Sequence, residues 1–156
     1  MARVAATALA LCLATSAMAD PASDVLTLIN AARAKAGCAA LVTNPALTAA
    51  ARGHSAAMAR QDFFSHTAPG GSTVATRVKA QGYRFALVGE NIAAGQADAP
   101  AAVRAWMASK GHRANILTCQ FSETGIAMTY QADDKPLSGQ SFSMKYYWVQ
   151  VFGQPR

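Results

Sequence analysis

No apolar run in this chain is long enough to cross a bilayer; the stretch from Val4 to Leu13 falls well short of the roughly twenty residues a spanning helix needs. Gly-x-Ser-x-Gly is absent, which leaves a hydrolase nucleophile elbow unsupported. His-Glu-x-x-His is also missing, as are a glycine-rich phosphate loop and a dinucleotide fingerprint, so a zincin protease and nucleotide chemistry lack their motifs. The lysines and arginines are scattered from Arg33 to Arg156 without interleaved aromatics, which argues against a nucleic-acid groove. No repeat, low-complexity tract or linker divides the sequence, and its length suits one domain with a real core. Histidine and cysteine are scarce, three of each, so proton-transfer or metal chemistry has few places to reside.

What is present begins with an export signature. Arg3 supplies a short basic start, Val4 to Leu13 an apolar stretch, and Ala17-Met18-Ala19 small residues at a cleavage site, so residues 1–19 read as a secretory signal and 20–156 as the mature domain. Cys12 lies behind Leu11, where lipid attachment wants a small residue, so a lipidated amino terminus is not expected. Without the signal two cysteines remain, Cys38 and Cys119, in a chain bound for an oxidising compartment, secreted or periplasmic. A disulfide follows from that destination, the alternative being two separate buried thiols. Closing a loop of roughly eighty residues contributes about 4–5 kcal/mol at most. The net charge of +6 falls to +5 once Arg3 is removed, a diffuse positive charge suited to solubility or weak attraction to anionic lipid or polysaccharide.

The mature part starts helical. Ser23 is placed to cap a helix carrying Val25, Leu28, Ile29 and Ala32 and ending at Gly37. Asn44-Pro45 starts a second, with Leu47, Ala51, His54 and Met58 on one stripe. A third spans Thr73 to Ala80, a fourth opens at Pro100 with Val103, Trp106 and Met107 inward, and a short turn of helix covers Ala114 to Leu117. The last third turns to strands, Gly125 to Tyr130 and Lys145 to Phe152, joined by a long polar loop around Asp133-Asp134-Lys135-Pro136. In the final strand Tyr146, Trp148 and Phe152 fall on one face and Tyr147, Val149 and Val151 on the other, so both faces must be covered. The expected fold class is α+β, a three-layer α/β/α sandwich.

Chemistry concentrates in His66, Glu90 and His112, each beside or near a glycine or proline and therefore expected at a turn facing a cleft. A carboxylate and two imidazoles that converge can bind a divalent cation or move a proton. Taken singly, His66 reads as a partly buried structural histidine, Glu90 as an acceptor for nearby amides, and His112 as a helix cap. His54 sits on an apolar stripe and reads as a core histidine. Glu123 is either a solvated strand-end charge or a neighbour of His112. Trp106 and Trp148 read as core anchors.

The order of Asn44-Pro45-x-Leu47, Phe63-Phe64-Ser65-His66, Gly82-Tyr83, Gly89-Glu90-Asn91-Ile92-Ala93, Trp106-x-x-Ser109-x-Gly111-His112-Arg113-x-Asn115-Ile116-Leu117 and Tyr147-Trp148-Val149-Gln150-Val151-Phe152-Gly153 resembles the CAP superfamily. This superfamily, also called the SCP domain, includes the cysteine-rich secretory, antigen 5 and pathogenesis-related proteins; the chain is most similar to its short bacterial members, over Val25 to Gly153. The resemblance implies an α/β/α sandwich and a cleft of two histidines and two acidic residues that can hold a divalent metal such as zinc. His66 and His112 match the histidines and Glu90 one acid, while Ser109 stands where the second glutamate would be. That replacement removes a charged ligand and leaves the cleft, lined by His66, Glu90, Ser109, His112 and Glu123, able to hold metal at most weakly, with Glu123 or His54 the candidates to compensate.

Three functional classes follow. One is an extracytoplasmic binding or interaction module for a lipid, wall or protein ligand. The second is a hydrolase with metal-bound water beside Glu90, and the third an envelope protein with a vestigial cleft. The family's diverse roles favour the first, which carries no enzymatic activity.

Overall fold

The computed structural model describes residues 20–156; the expected signal, residues 1–19, lies outside them. Five helices and four strands follow in order: α1 (Pro21–Lys35), β1 (Val42–Thr43), α2 (Pro45–Arg60), α3 (Val74–Ala80), β2 (Phe85–Ala94), α4 (Ala99–Ala108), α5 (Lys110–Ile116), β3 (Glu123–Tyr130) and β4 (Tyr146–Pro155). The sheet runs β1-β3-β4-β2, with β1 parallel to β3 and the other pairs antiparallel. No described helix is long and apolar enough to cross a membrane.

Local chemistry sets most helix ends. Asp20, rather than the expected Ser23, caps α1 by accepting from the Ala22 N–H, with Pro21 in the first turn. Asn44 caps α2 through Ala46 and Leu47, Thr73 and Thr76 form a capping box on α3, and Asp98 caps α4.

Strand β4 is the middle of the molecule, and its alternation divides the core in two. Trp148 and Phe152 pack with Val25, Ile29, Trp106 and Ile116 beneath α1, α4 and α5. Tyr147, Val149 and Val151 pack with Leu47, Met58 and Val78 beneath α2 and α3. These five β4 side chains are fully buried, each contributing about 1.5–3 kcal/mol. The three layers expected from a strand apolar on both faces are therefore present. Helix α2 lies close on β3 because Gly125 leaves no side chain between them; a β-carbon there would overlap the backbone of Leu47 and Thr48.

Two cross-links hold the end of α1 to the end of α5. Cys38 and Cys119 are joined in a disulfide with Cα atoms 4.9 Å apart. Beside it the fully buried Arg33 donates to the carbonyls of Ala39, Ile116, Thr118 and Phe121 at 2.7–3.1 Å. The loop between β3 and β4 is anchored from within: Asp134 is buried and accepts from the Tyr147 hydroxyl and the Lys145 N–H.

Strand β2 was not expected. Phe85 to Ala94 shows no strict alternation and contains glycine, glutamate and asparagine, all poor strand formers. Nine register pairs with β4, from Phe85 with Pro155 to Ala94 with Tyr147, override that local preference. Helix α5 likewise begins at Lys110 rather than at Ala114.

Candidate functional site

Glu90 stands in the middle of β2, opposite Val151, and not at the turn its neighbouring glycine suggests. Alternation along the strand explains where it points. Ile92 belongs to the core under α2 and α3, and Glu90, two residues earlier, faces the same way; Ala93 belongs to the other core, and Asn91 shares its face. Because β2 is an edge strand, groups from both layers meet around its rim.

On the α2/α3 side the Glu90 carboxylate, only 2% exposed, uses both oxygens. His66 Nδ1, from the loop after α2, donates to Oε1 at 2.9 Å, and Arg77 of α3 donates through Nη2 to Oε2 at 2.6 Å. Arg77 is itself pinned: Nη1 donates to the Ser72 carbonyl at 2.8 Å, and Nη1 and Nη2 to that of His66 at 3.2 and 3.1 Å. Its Nε is buried without a partner. Arg77 also lines a groove of about 480 Å³ between α2 and α3, with Ala50, Gly53, Gly71 and Thr76.

His54 lies at the base of this cluster, buried as a core histidine but next to the carboxylate. Its Nε2 is 4.0 Å from Glu90 Oε1 and bonds the Ser65 carbonyl at 2.9 Å, which puts the ring proton on Nε2. Burial pushes its pKa down, outweighing the attraction of Glu90, and Arg77 lowers it further.

On the other side of β2, α5 is held against the strand through asparagines. Asn91 Nδ2 donates to the His112 carbonyl at 3.1 Å. Asn115 Nδ2 donates to Asn91 Oδ1 and to the Glu90 carbonyl at 2.9 and 3.1 Å. His112 is thus a helical residue, not the mouth of a turn, and its backbone is one side chain removed from β2. Its half-buried imidazole has a lowered pKa, first from burial and then from the charge of His66.

The other candidates fall into different roles. Ser109 is the junction between α4 and α5; its N–H caps α4 on Ala105 and Trp106, and its side chain makes no capping bond. Glu123 accepts a 2.6 Å hydrogen bond from Tyr83, whose pKa is raised first by burial and then by this bond, so it is a strand-end carboxylate held by Tyr83 rather than by His112. Arg77 is the cluster member that sequence reasoning missed. Its signal was its place on the third helix at the same face as Val74 and Val78, where a cation would be expected only if paired.

Among the described residues, no group of three or more histidine, cysteine, aspartate or glutamate side chains is arranged to hold a metal ion. The donor chemistry accounts for this: both Glu90 oxygens, His66 Nδ1 and His54 Nε2 are directed at protein partners. His66 Nε2 is left without a protein partner here, on a side chain 55% exposed and oriented by Glu90.

Comparison with known proteins agrees with this architecture. The profile of the cysteine-rich secretory protein family, CAP, matches residues 26–152. The uncharacterized Bacillus subtilis protein YkwD is 37% identical over 102 residues, 65% of this chain and 40% of the relative. The uncharacterized Bacillus subtilis membrane protein YlbC is 34% identical over 105 residues, 67% of this chain and 30% of the relative. This chain therefore spans less than half the length of either. An extracellular Bacillus anthracis protein containing an SCP domain superposes with a TM-score of 0.72 at 29% identity, over 86% of this chain and 40% of that one.

Proposed function

The chain belongs to the cysteine-rich secretory protein family, and on that premise we propose that it is an extracytoplasmic binding module whose cleft at the rim of β2 recognises a lipid, wall or protein ligand. Export on a signal of residues 1–19, leaving a single domain from Asp20, belongs to this reading. The disulfide is consistent with an oxidising destination.

The observation that carries the reading is the state of Glu90. A metal-dependent hydrolase needs a carboxylate free to bind metal or take a proton from water. Here the carboxylate is buried and committed to Arg77 and His66, and the position three residues after Trp106 is a serine. His66 Nε2 and His112 would hold a divalent ion weakly, with Glu90 orienting His66 from behind; the ion would supply a positive anchor for a ligand's oxygen atoms.

The test is co-sedimentation of the mature protein with insoluble cell wall and with vesicles containing one-third anionic lipid, alongside His66→Ala/His112→Ala. Retention by one of these that drops at least tenfold in the double variant supports the cleft as binding site. Equal retention by both proteins, or ester or peptide hydrolysis that disappears with Glu90→Gln, overturns the reading.

A further inference from the structure

The family resemblance leads to a metal at this cleft, and the arrangement around Glu90 disagrees with a metal-bound carboxylate. We propose that Arg77 is the resident cation of the site: its guanidinium occupies the carboxylate in place of a metal ion and keeps divalent ions off Glu90. This deepens the binding-module reading and rests on it, because it explains how the cleft keeps a fixed, water-poor polar base without a cofactor.

Three observations carry the proposal. The Arg77–Glu90 contact at 2.6 Å is among the shortest in the molecule, between side chains 10% and 2% exposed, so the pair is shielded from water. The guanidinium is also positioned independently of Glu90. The Ser72 and His66 carbonyls accept from Nη1 and Nη2, and the Thr73–Thr76 capping box fixes the first turn of α3 that carries it. An arginine seated this way holds its charge permanently and occupies one of the acceptor positions of Oε2 at short range. Finally, the two ring nitrogens nearest the carboxylate are committed to protein partners. His66 Nδ1 donates to Oε1, and His54 Nε2 donates to Ser65. A divalent ion brought to Glu90 would meet the fixed positive charge of Arg77 at close range in a poorly solvated place.

Removing the guanidinium should then open the Glu90 carboxylate to a metal ion, which the native pairing opposes. The Co²⁺ affinity of the wild-type protein, Arg77→Met and Arg77→Met/Glu90→Gln would be measured from visible absorption and from the shift in thermal midpoint on adding Co²⁺. Arg77→Met should bind Co²⁺ at least tenfold more tightly than wild type and gain thermal stability on binding; adding Glu90→Gln should abolish both effects. Arg77→Lys, which keeps a positive charge, should show no gain.

Equal affinity in wild type and Arg77→Met overturns the proposal, as does a gain that survives Glu90→Gln or appears equally in Arg77→Lys. Should Arg77→Met fail to fold, Arg77→Gln, whose amide can still serve the Ser72 and His66 carbonyls, takes the same test with the same criteria. Loss of ligand retention in the His66/His112 variant tests the binding reading separately, so either idea can fail without the other.

Discussion

Replacing Glu90 by glutamine keeps its shape and removes its charge, and should cost about 3–5 kcal/mol of stability, the usual penalty for leaving one partner of a buried ion pair uncompensated. The structure supports the upper part of the range, since Arg77 has no second carboxylate among the described ion pairs and its side chain is only 10% exposed. Opposite charges about 4 Å apart attract by about 4 kcal/mol at an effective dielectric constant near 20, and burial of both groups takes back part of that. Arg77→Met should cost a similar amount. The double variant should cost much less than the sum, giving a coupling energy of about 2–4 kcal/mol. For a domain of this size each kcal/mol moves the thermal midpoint by about 4 °C, so the single variants should melt roughly 12–20 °C lower. Urea unfolding of the four proteins at neutral pH closes the cycle. Coupling below about 1 kcal/mol, the value for a solvent-exposed pair, would refute the view of Arg77–Glu90 as a shielded unit.

The two glycine environments in and beside α2 give opposite expectations. Gly125→Ala, whose methyl overlaps the Leu47 and Thr48 backbone, should cost more than about 3 kcal/mol or prevent folding, whereas Gly53→Ala, open on the surface of α2, should stabilise by about 0.5–1 kcal/mol; circular-dichroism melts would show both. Stability should fall on acidification below pH 6.5. His54 and His112 have folded pKa values depressed below that unfolded value, so the unfolded chain binds protons first and the stabilisation present above 6.5 is lost as pH drops toward the folded values. Urea midpoints at pH 7.5 and 5.5 test this, and a shallower loss in His112→Ala would assign that residue's share; no loss in the native protein would contradict the burial argument. Reducing the disulfide, which closes a separation of 81 residues, should cost about 2–4 kcal/mol without changing the far-ultraviolet spectrum, because Arg33 still holds the same carbonyls; loss of helical signal on reduction at 25 °C would show that Arg33 is not sufficient.

Much of this molecule was legible from local pattern. Asn44-Pro45, Thr73 and the Pro100 region announce helices because caps and proline act on the residues beside them. The split of β4 into two faces follows from period two, and with it the three layers. Strand β2 was hidden because its residues are poor strand formers and its partner lies some sixty residues later, so no local signal records the pairing. The error at Glu90 has the same origin: a glycine beside a charge reads as a turn until a neighbouring strand holds it extended.

The amino-acid order alone therefore determined the starts of α2, α3 and α4, the doubly buried strand, the expectation of a Cys38–Cys119 disulfide, and the family to which the motifs belong. Those are consequences of short-range sterics, side-chain periodicity and composition. Only the tertiary structure decided that Glu90 is an inward residue of an edge strand, that His54 lies beneath it while Glu123 is held by Tyr83, and that an arginine from α3 takes the carboxylate. Which charges meet in a low-dielectric place depends on how separate layers close over one another, and that closure is a property of the whole chain rather than of any stretch of it.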